Sequence, residues 1–351
     1  ARVLWYNDTI VFEDEEAERV CVAAFDTDGD GALSYVEAES VTDLGDVFRG
    51  NDRIVSFNEF VYFTGVETLP GFLRGPFDYM SSLKEITLPP SLRDVGGWPF
   101  ATCHSLENIF VDPANLRYYS VDGCLYSRPD RTLVRVPEVT SFDTFEIPSG
   151  ITTIGYGCFE ANSTIKELRI GRDVTSIAGE ALKIYSLERV SVDPASTSFT
   201  VIDEALYALE NGAPVALRLL PSRCGVTSLV LPSSVRTIGG YAICDIPDFH
   251  SITLNEGLES IQQYAFNSVS FDHLVIPSTV TFLNDCCLRF VALSSLTVLS
   301  ELPPSLGSHV FPFEGEEVYS AYPVFVPAAS MPLYLNAPGW SALSSRITPL
   351  P

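Results

Sequence analysis

Six residues near the N-terminus have the types and the spacing that hold a divalent cation. They are Asp26, Asp28, Asp30, Ala32, Ser34 and Glu37. The run from Asp26 to Glu37 matches D-x-[DN]-x-[DN]-G-x5-E at every defined position. In such a loop the aspartates supply side-chain oxygens, Ala32 its carbonyl, Ser34 a water-mediated contact and Glu37 both carboxylate oxygens. The pattern therefore predicts a calcium site.

The next segment has the phase of a second calcium-binding hand but has lost its ligands. Residues 55–60 (VSFNEF) repeat the phase of residues 33–37 (LSYVE), while Phe48, Gly50 and Arg53 stand where ligands and the bend glycine belong. Asp52 and Glu59 remain as oxygen donors, too few for a cation that takes roughly six to eight oxygens. We expect a structural mate without metal. Its apolar stripe, predicted to pack on the first repeat, is Phe57, Phe60, Val61 and Phe63.

Downstream of this pair, one unit is copied many times. Residues 83–100 (LKEITLPPSLRDVGGWPF) combine an LxxLxL strand with a return segment that begins at Pro89 and closes on Trp98 and Phe100. Proline ends the strand because it cannot donate to a ladder. The strand-ending aliphatics recur mostly every 22 or 23 residues, at Leu88, Val111, Ile147, Ile170, Val192, Leu231, Leu254, Ile276 and Val298. This period and pattern predict an α/β repeat solenoid of the leucine-rich repeat type with short parallel strands.

Two longer gaps in this rhythm hold insertions. The residues around Val111-Asp112-Pro113 recur around Val192-Asp193-Pro194, an offset of 81 residues. Each copy continues with an alternating run, a turn and a second run, which is typical of a β-hairpin. We expect hairpin insertions near 112–137 and 193–220 that share one backbone and widen the solenoid; an edge that binds a partner by strand addition is the alternative.

A repeat stack must cover both of its ends. The chain is predicted to divide into an N-terminal helical cap resembling an EF-hand pair (1–65), a repeat region (66–318) and a C-terminal cap (319–351). Val324-Phe325-Val326 reads as a last strand and the residues after Met331 as a short helix. Single repeats bury their apolar face only against neighbours, so these caps complete the core.

Charge and cysteine content exclude several classes of protein. The net charge is −24, of which residues 1–65 contribute 15 acidic side chains against four arginines. Nucleic acid and anionic membranes are therefore not expected partners. No stretch reaches the roughly 18–20 apolar residues of a membrane helix. Of the eight cysteines, Cys158 and Cys287 fall where other repeats carry small residues, so buried thiols are expected rather than disulfides.

Several stretches together resemble one family. They are TTIGYGCF, YYSVDGCLYSRPDRTLVRVP, VFVPAASMPLYLNAPGWSALSSRI and the N-terminal run CVAAFDTDGDGALSYVEAESVTDLGDVFRGNDRIVSFNEFVYFTGV. The chain resembles the BspA-like leucine-rich repeat proteins of Bacteroidetes over nearly its whole length. The resemblance implies a secreted or cell-surface protein, often an outer-membrane lipoprotein. It also implies adhesion to a protein or glycan of the host or of other bacteria. A leader or lipid anchor before Ala1 is then expected to have been removed.

Catalysis is not expected. The sequence contains no GxSxG, HExxH or Walker motif. His273 with Asp272, Ser251 and Ser228 would lie on neighbouring strands, but a solvated polar patch is the simpler interpretation. The concave row of the main strands lacks the clustered aromatic and arginine side chains that are typical of binding hot spots. It comprises Thr87, Phe110, Glu146, Arg169, Ser191, Val230, Thr253, Val275 and Thr297. We therefore expect a monomeric, non-catalytic binding protein; the alternatives are a structural stalk that displays another domain and, less favoured, an uncharacterised hydrolase.

Overall fold

A computed structural model describes residues 8–312 and 322–350. The chain divides into two compact units, the first formed by residues up to 165 together with 173–184, and the second by 166–172 with the residues from 185 onward. The predicted boundary between 318 and 319 lies outside the described residues. The first unit contains the predicted metal loop and the first hairpin insertion, and the second contains the other hairpin and the C-terminal cap.

Strands far outnumber helices in the described residues. The helices are α1 (Glu15–Phe25), α2 (Tyr35–Ser40) and α3 (Met331–Asn336). The first strands are β1 (Ser56–Phe57), β2 (Thr68–Leu69), β3 (Glu85–Leu88), β4 (Asp94–Val95), β5 (Asn108–Val111), β6 (Tyr118–Val121), β7 (Cys124–Ser127), β8 (Thr132–Arg135) and β9 (Thr144–Glu146). Then come β10 (Thr153–Ile154), β11 (Glu167–Ile170), β12 (Ser176–Ile177), β13 (Arg189–Val192), β14 (Phe199–Ile202), β15 (Ala205–Glu210), β16 (Ala213–Leu219), β17 (Ser228–Val230) and β18 (Thr237–Ile238). The last are β19 (Ile243–Cys244), β20 (Ser251–Thr253), β21 (Ser260–Ile261), β22 (Phe266–Ile276), β23 (Phe282–Leu283), β24 (Phe290–Val298), β25 (Ser305–Leu306), β26 (Val324–Val326) and β27 (Ile347–Pro349).

Each turn of the repeat contributes strands to two parallel ladders. In the first unit, β1, β3 and β5 form the main ladder and β2 pairs with β4 on the return side. The main strands alternate as the LxxLxL spacing predicts, because Ile86 and Leu88 are buried while Glu85 and Thr87 are partly exposed. The fold is thus a β-solenoid with leucine-rich repeats.

The predicted α/β character is wrong, because the return segments of the described repeats are short strands and turns rather than helices. In the return after β4, Trp98, Phe100 and Thr102 have positive φ angles of 61°, 57° and 59°. Backbone in this left-handed region cannot continue a right-handed helix. The prolines and paired glycines of residues 89–99 also oppose a helix, because proline lacks a backbone N–H donor and glycine has a low helix propensity.

The second unit repeats the two-ladder plan. β16, β18, β21, β23 and β25 run in parallel on the return side, and β22, β24, β26 and β27 extend the other sheet. The predicted last strand and short helix of the C-terminal segment are present as β26 and α3. Trp340 and Tyr334 are fully buried, and their polar atoms donate to Pro304 O and Ser300 O at 2.8 Å. These residues close the apolar core of this unit.

The two hairpin insertions have the same strand pairing, as their 81-residue offset predicts. β6 pairs with β7 from Tyr118–Ser127 to Val121–Cys124, and β14 pairs with β15 from Phe199–Ala208 to Ile202–Ala205. Both copies also bulge at the same point of the second pairing, after Leu125 and Leu206. The extra residues of the second copy lie at its turn, where β15 and β16 continue to Glu210 and Ala213.

All eight cysteines are free, and six of them are buried. Burial raises the pKa of the Cys103 thiol to about 12, which keeps it protonated and inert. The prediction of buried thiols in place of disulfides is confirmed for Cys158 and Cys287, which have no exposed surface. Among the helices of residues 8–312 and 322–350, none is long and apolar enough to cross a membrane.

Candidate functional site

The predicted metal loop brings three aspartates together. α1 ends at Phe25, and carboxylate oxygens of Asp26, Asp28 and Asp30 lie within 4.8 Å of one another. Asp26 shapes the loop by accepting from Gly29 N at 2.7 Å and from Gly31 N at 2.9 Å. Gly31 has a φ of 85°, so the bend needs the residue type that the motif specifies. Residues 20–48 contain no lysine or arginine to neutralise these carboxylates.

Glu37, the last predicted ligand, has its carboxylate held by the loop backbone. Its Oε1 accepts from Thr27 N at 2.7 Å and its Oε2 from Ser34 N at 2.9 Å, and Ser34 in turn caps α2. Burial raises the pKa of Glu37, but these hydrogen bonds outweigh burial and lower the pKa to about 2. Glu37 is therefore ionised at neutral pH. Its oxygens stand apart from the cluster of three aspartates, although Glu37, Asp28 and Asp30 line one cavity of about 310 Å³.

The predicted metal loop pairs with a segment upstream of α1. Thr9 and Ser34 form an antiparallel bridge, in which Ile10 N donates to Leu33 O at 2.8 Å and Tyr35 N to Asp8 O at 3.2 Å. Leu33 thus accepts its backbone hydrogen bond from Ile10, upstream of the loop. Thr9 carried no motif in the sequence, so only the fold could show this partner.

The predicted second hand is instead the first turn of the solenoid. Ser56 and Phe57 form β1, which pairs in parallel with β3, and residues 58–62 form a short 3-10 helix. Glu59, one of its remaining oxygen donors, is buried, and its Oε1 accepts from Glu13 N at 3.0 Å. Burial raises the pKa of Glu59 above its ordinary value. The N-terminal segment therefore contains one predicted metal loop followed by a strand and a short 3-10 helix, and not the pair of EF-hands that the sequence predicts.

The apolar stripe of this segment does pack on the first repeat, as predicted. Phe57, Phe60 and Phe63 are fully buried. The ring centroids of Phe60 and Phe77 lie 5.0 Å apart, and those of Phe57 and Phe77 lie 6.1 Å apart. Edge-to-face contacts at these distances are favourable. This aromatic cluster covers the end of the first unit's core.

The histidine that the sequence analysis singled out makes a different contact from the one considered. His273 Nδ1 lies 2.7 Å from Ser295 Oγ on β24. In a catalytic triad the Nδ1 nitrogen bonds to a carboxylate and the other ring nitrogen faces the serine. The observed pair has the serine on Nδ1, so it does not match a triad. None of the residues in the predicted concave row of the main strands is buried.

Two cavities flank the first hairpin, and neither was predicted. One, of about 760 Å³, is lined by Glu107, Asn108, Asp122, Val139, Thr140, Ser141 and Phe142. The other, of about 250 Å³, lies between β4 and β8, and its lining includes Trp98, Tyr156, Arg117 and Asp130. The signal that could have found the second cavity is the sequence difference between the two hairpins. Arg117 and Ser127 in the first become Ser198 and Ala208 in the second, and a longer turn replaces the one that holds Asp130.

A two-ladder β-solenoid with hairpin insertions defines a class of repeat protein, and sequence comparison places the chain within it. The model of the BspA type leucine rich repeat region matches six copies, over residues 61–126, 138–211 and 222–314. Because these matches span more than half of the chain, the protein belongs to the BspA-type leucine-rich repeat family. No curated protein matches the sequence.

Several solved structures align with the chain. A leucine-rich repeat protein from Eubacterium ventriosum aligns with a TM-score of 0.52 and 20% identity over 80% of this chain and 68% of that one. The pneumococcal vaccine antigen PcpA aligns with a TM-score of 0.40 and 16% identity over 81% and 70%. A leucine rich cell surface protein from Faecalibacterium prausnitzii has a TM-score of 0.39 and 15% identity over 72% and 87%. At 20% identity, the likeness to the Eubacterium ventriosum protein concerns the fold alone.

Proposed function

We propose that the chain is a non-catalytic binding or adhesion protein, secreted or held at the cell surface, with a structural calcium site before its first repeat. Membership of the BspA-type repeat family supports the binding role. The partner would be a protein or glycan of the host or of other bacteria. A monomeric outer-membrane lipoprotein of Bacteroidetes fits the family resemblance.

The clustered aspartates are the observation that carries the calcium proposal. Three carboxylates within 4.8 Å repel one another, and no basic residue lies nearby in the sequence. A divalent cation would relieve this repulsion, and hard oxygen ligands suit calcium. Asp26, Asp28 and Asp30 would hold it through their side chains, with Ala32, Ser34 and Glu37 completing the set. Glu37 would exchange its present hydrogen bonds for the metal.

Such a site would stabilise the N-terminal segment and would not switch it. Sensor hands open as pairs, whereas this loop is followed by β1, which is fixed in the main ladder, and by Phe60, which is buried against Phe77. Near-millimolar extracellular calcium fills even a site with a Kd of about 10⁻⁴ M. Ligand that binds only the folded state then adds about 1–3 kcal/mol.

Calorimetry with and without EGTA tests this proposal. We expect chelation to lower the Tm of the wild-type protein and to leave its small-angle scattering profile unchanged. Glu37→Gln, which keeps the α2 capping box, should lose most of the calcium-dependent rise in Tm. Glu39→Gln removes the same charge from an exposed position on α2 and serves as the control. A calcium-dependent change in scattering without a change in Tm would show a switch instead.

A further inference from the structure

The smaller cavity beside the first hairpin lies where the return ladder is interrupted. The sheet of β2 and β4 ends at β4, and a separate sheet of β6, β7, β8, β10 and β12 begins beyond it. The cavity between them has a volume of about 250 Å³. Pockets for drug-sized ligands occupy roughly 300–1,000 Å³. This cavity is therefore large enough for a single ring of a ligand.

One side of the cavity is aromatic and rigidly held. The ring centroids of Trp98 and Tyr156 lie 5.9 Å apart, and Tyr156 also packs on Phe72 at 5.2 Å. Trp98 Nε1 donates to Glu160, and the Lys183 ammonium lies 5.4 Å from its ring centroid. A side chain at Gly157 would come within 2.8 Å of Trp98 Cδ1, so glycine there allows the close packing. These contacts fix the aromatic wall before any ligand arrives.

The other side is polar and balanced in charge. Arg117 Nη2 lies 3.0 Å from Asp130 Oδ2, which also accepts from Ser127 Oγ at 2.7 Å. Arg117 Nε is buried, and the guanidinium carbon lies 5.9 Å from the Tyr118 ring centroid. Because Asp130 pairs with the arginine, this wall offers both hydrogen-bond donors and acceptors.

The second hairpin shows that these polar groups are not needed for folding. Its strands pair in the same register, yet Ser198 and Ala208 stand in place of Arg117 and Ser127, and a longer turn around Asn211 replaces the turn that holds Asp130. Position 198 cannot form an ion pair, because its serine is uncharged. The same β6–β7 and β14–β15 pairing thus forms with either set. The arginine, serine and aspartate of the first copy therefore call for a role beyond hairpin formation.

We propose that this cavity binds one neutral hexopyranose ring of a glycan. The C–H face of a sugar ring would pack on the aromatic wall, whose π face is electron-rich, while its hydroxyls would bond to Arg117 and Asp130. A polyhydroxylated ring both donates and accepts, which matches this polar wall; an anionic sugar would meet Asp130 and Asp94. The inference rests on the proposed binding function and names its ligand class and site.

Saturation-transfer NMR on the full chain tests the proposal, with methyl β-D-glucopyranoside, β-D-galactopyranoside and α-D-mannopyranoside as probes. We expect transfer to at least one glycoside. The variant R117S/S127A/D130N, which imports the residues of the second hairpin, should weaken binding by about tenfold or more. The single variant D130N alters only a half-exposed side chain and should weaken binding in the same direction. The Tm of each variant verifies folding.

The matched control lies in the second hairpin. R236S/E210Q removes an ion pair of similar exposure and should leave glycoside binding unchanged. Absence of transfer to all three glycosides, or equal transfer in R117S/S127A/D130N, would overturn the site. A parallel pull-down on immobilised mucin separates the two proposals. Mucin binding that survives the triple substitution would remove this site and keep the binding function, whereas no binding to any host polymer would contradict the proposed function itself.

Discussion

The two hairpins have the same backbone pairing but different interiors. In the first, Arg135 is fully buried, and its Nη1 donates to Gly157 O at 2.8 Å and lies 3.6 Å from Glu160 Oε2. Its Nη2 lies 3.4 Å from Glu138 Oε1. The corresponding residues of the second hairpin are Leu219, Ser222 and Cys244. One backbone therefore tolerates either an ionic or a largely apolar interior, which shows that strand register does not depend on these side chains.

The largest effect should come from breaking the ionic interior by one residue. Arg135→Leu leaves Glu138 and Glu160 buried without their cation and should cost about 3–5 kcal/mol in the free energy of unfolding. R135L/E138S/E160A replaces all three charged residues by uncharged ones, as in the second hairpin, and should recover most of that loss. Denaturant titration measures both. If the triple variant were no more stable than R135L, the two interiors would not be interchangeable.

Matching substitutions in the part that the two hairpins share should destabilise the protein equally. Leu133 and Leu217 are both fully buried and pair with Tyr126 and Tyr207 at matching positions. Leu133→Ala and Leu217→Ala should each cost about 2–5 kcal/mol, because each leaves a cavity. We expect the two losses, measured by denaturant titration, to agree within about 1 kcal/mol. A larger difference would mean that the interiors change the packing around these leucines.

The turn between the first two strands differs at one residue between the two hairpins. Gly123 has a φ of 74°, and Glu204 occupies the same place with a φ of 63°. Left-handed backbone costs a residue with a side chain about 1–2 kcal/mol, so Glu204→Gly should stabilise by about 0.5–1 kcal/mol. Gly123→Ala should destabilise by more, because its Cβ would lie 2.8 Å from Asn108 Oδ1. Thermal unfolding compares the two, and equal shifts of opposite sign would exclude the steric contribution.

The smallest difference between the two hairpins should be in how their stability depends on pH. Burial raises the pKa of Glu138 above 4.5, although Arg135 and His104 oppose it. A raised pKa means that its contribution to stability is present below pH 4.5 and is lost as the pH rises through the raised value. Stability relative to Glu138→Gln should therefore fall as the pH rises from 4.5 through the raised pKa. Ser222→Ala in the second hairpin should show no such trend, and a pH-independent difference for Glu138→Gln would contradict the assignment.

Local patterns in the sequence determined the repeat fold. The LxxLxL spacing placed Ile86 and Leu88 inside because side chains alternate along a strand, and the structure buries both. The 81-residue offset likewise predicted one pairing for both hairpins, because register follows the alternation of apolar residues. The spacing of Asp26, Asp28 and Asp30 placed three carboxylates together, since the bend at Gly31 is itself a local property.

Tertiary structure alone decided the features that depend on distant residues. The predicted metal loop pairs with Thr9 through Ser34, and the predicted second hand contains β1, because its pairing energy comes from β3 and not from its own sequence. The return segments became strands for the same reason, since each two-residue strand is stable only inside a ladder. The cavity between Trp98 and Arg117 also required the fold, because residues from β4, β8 and the two hairpin strands meet there only once the solenoid has closed.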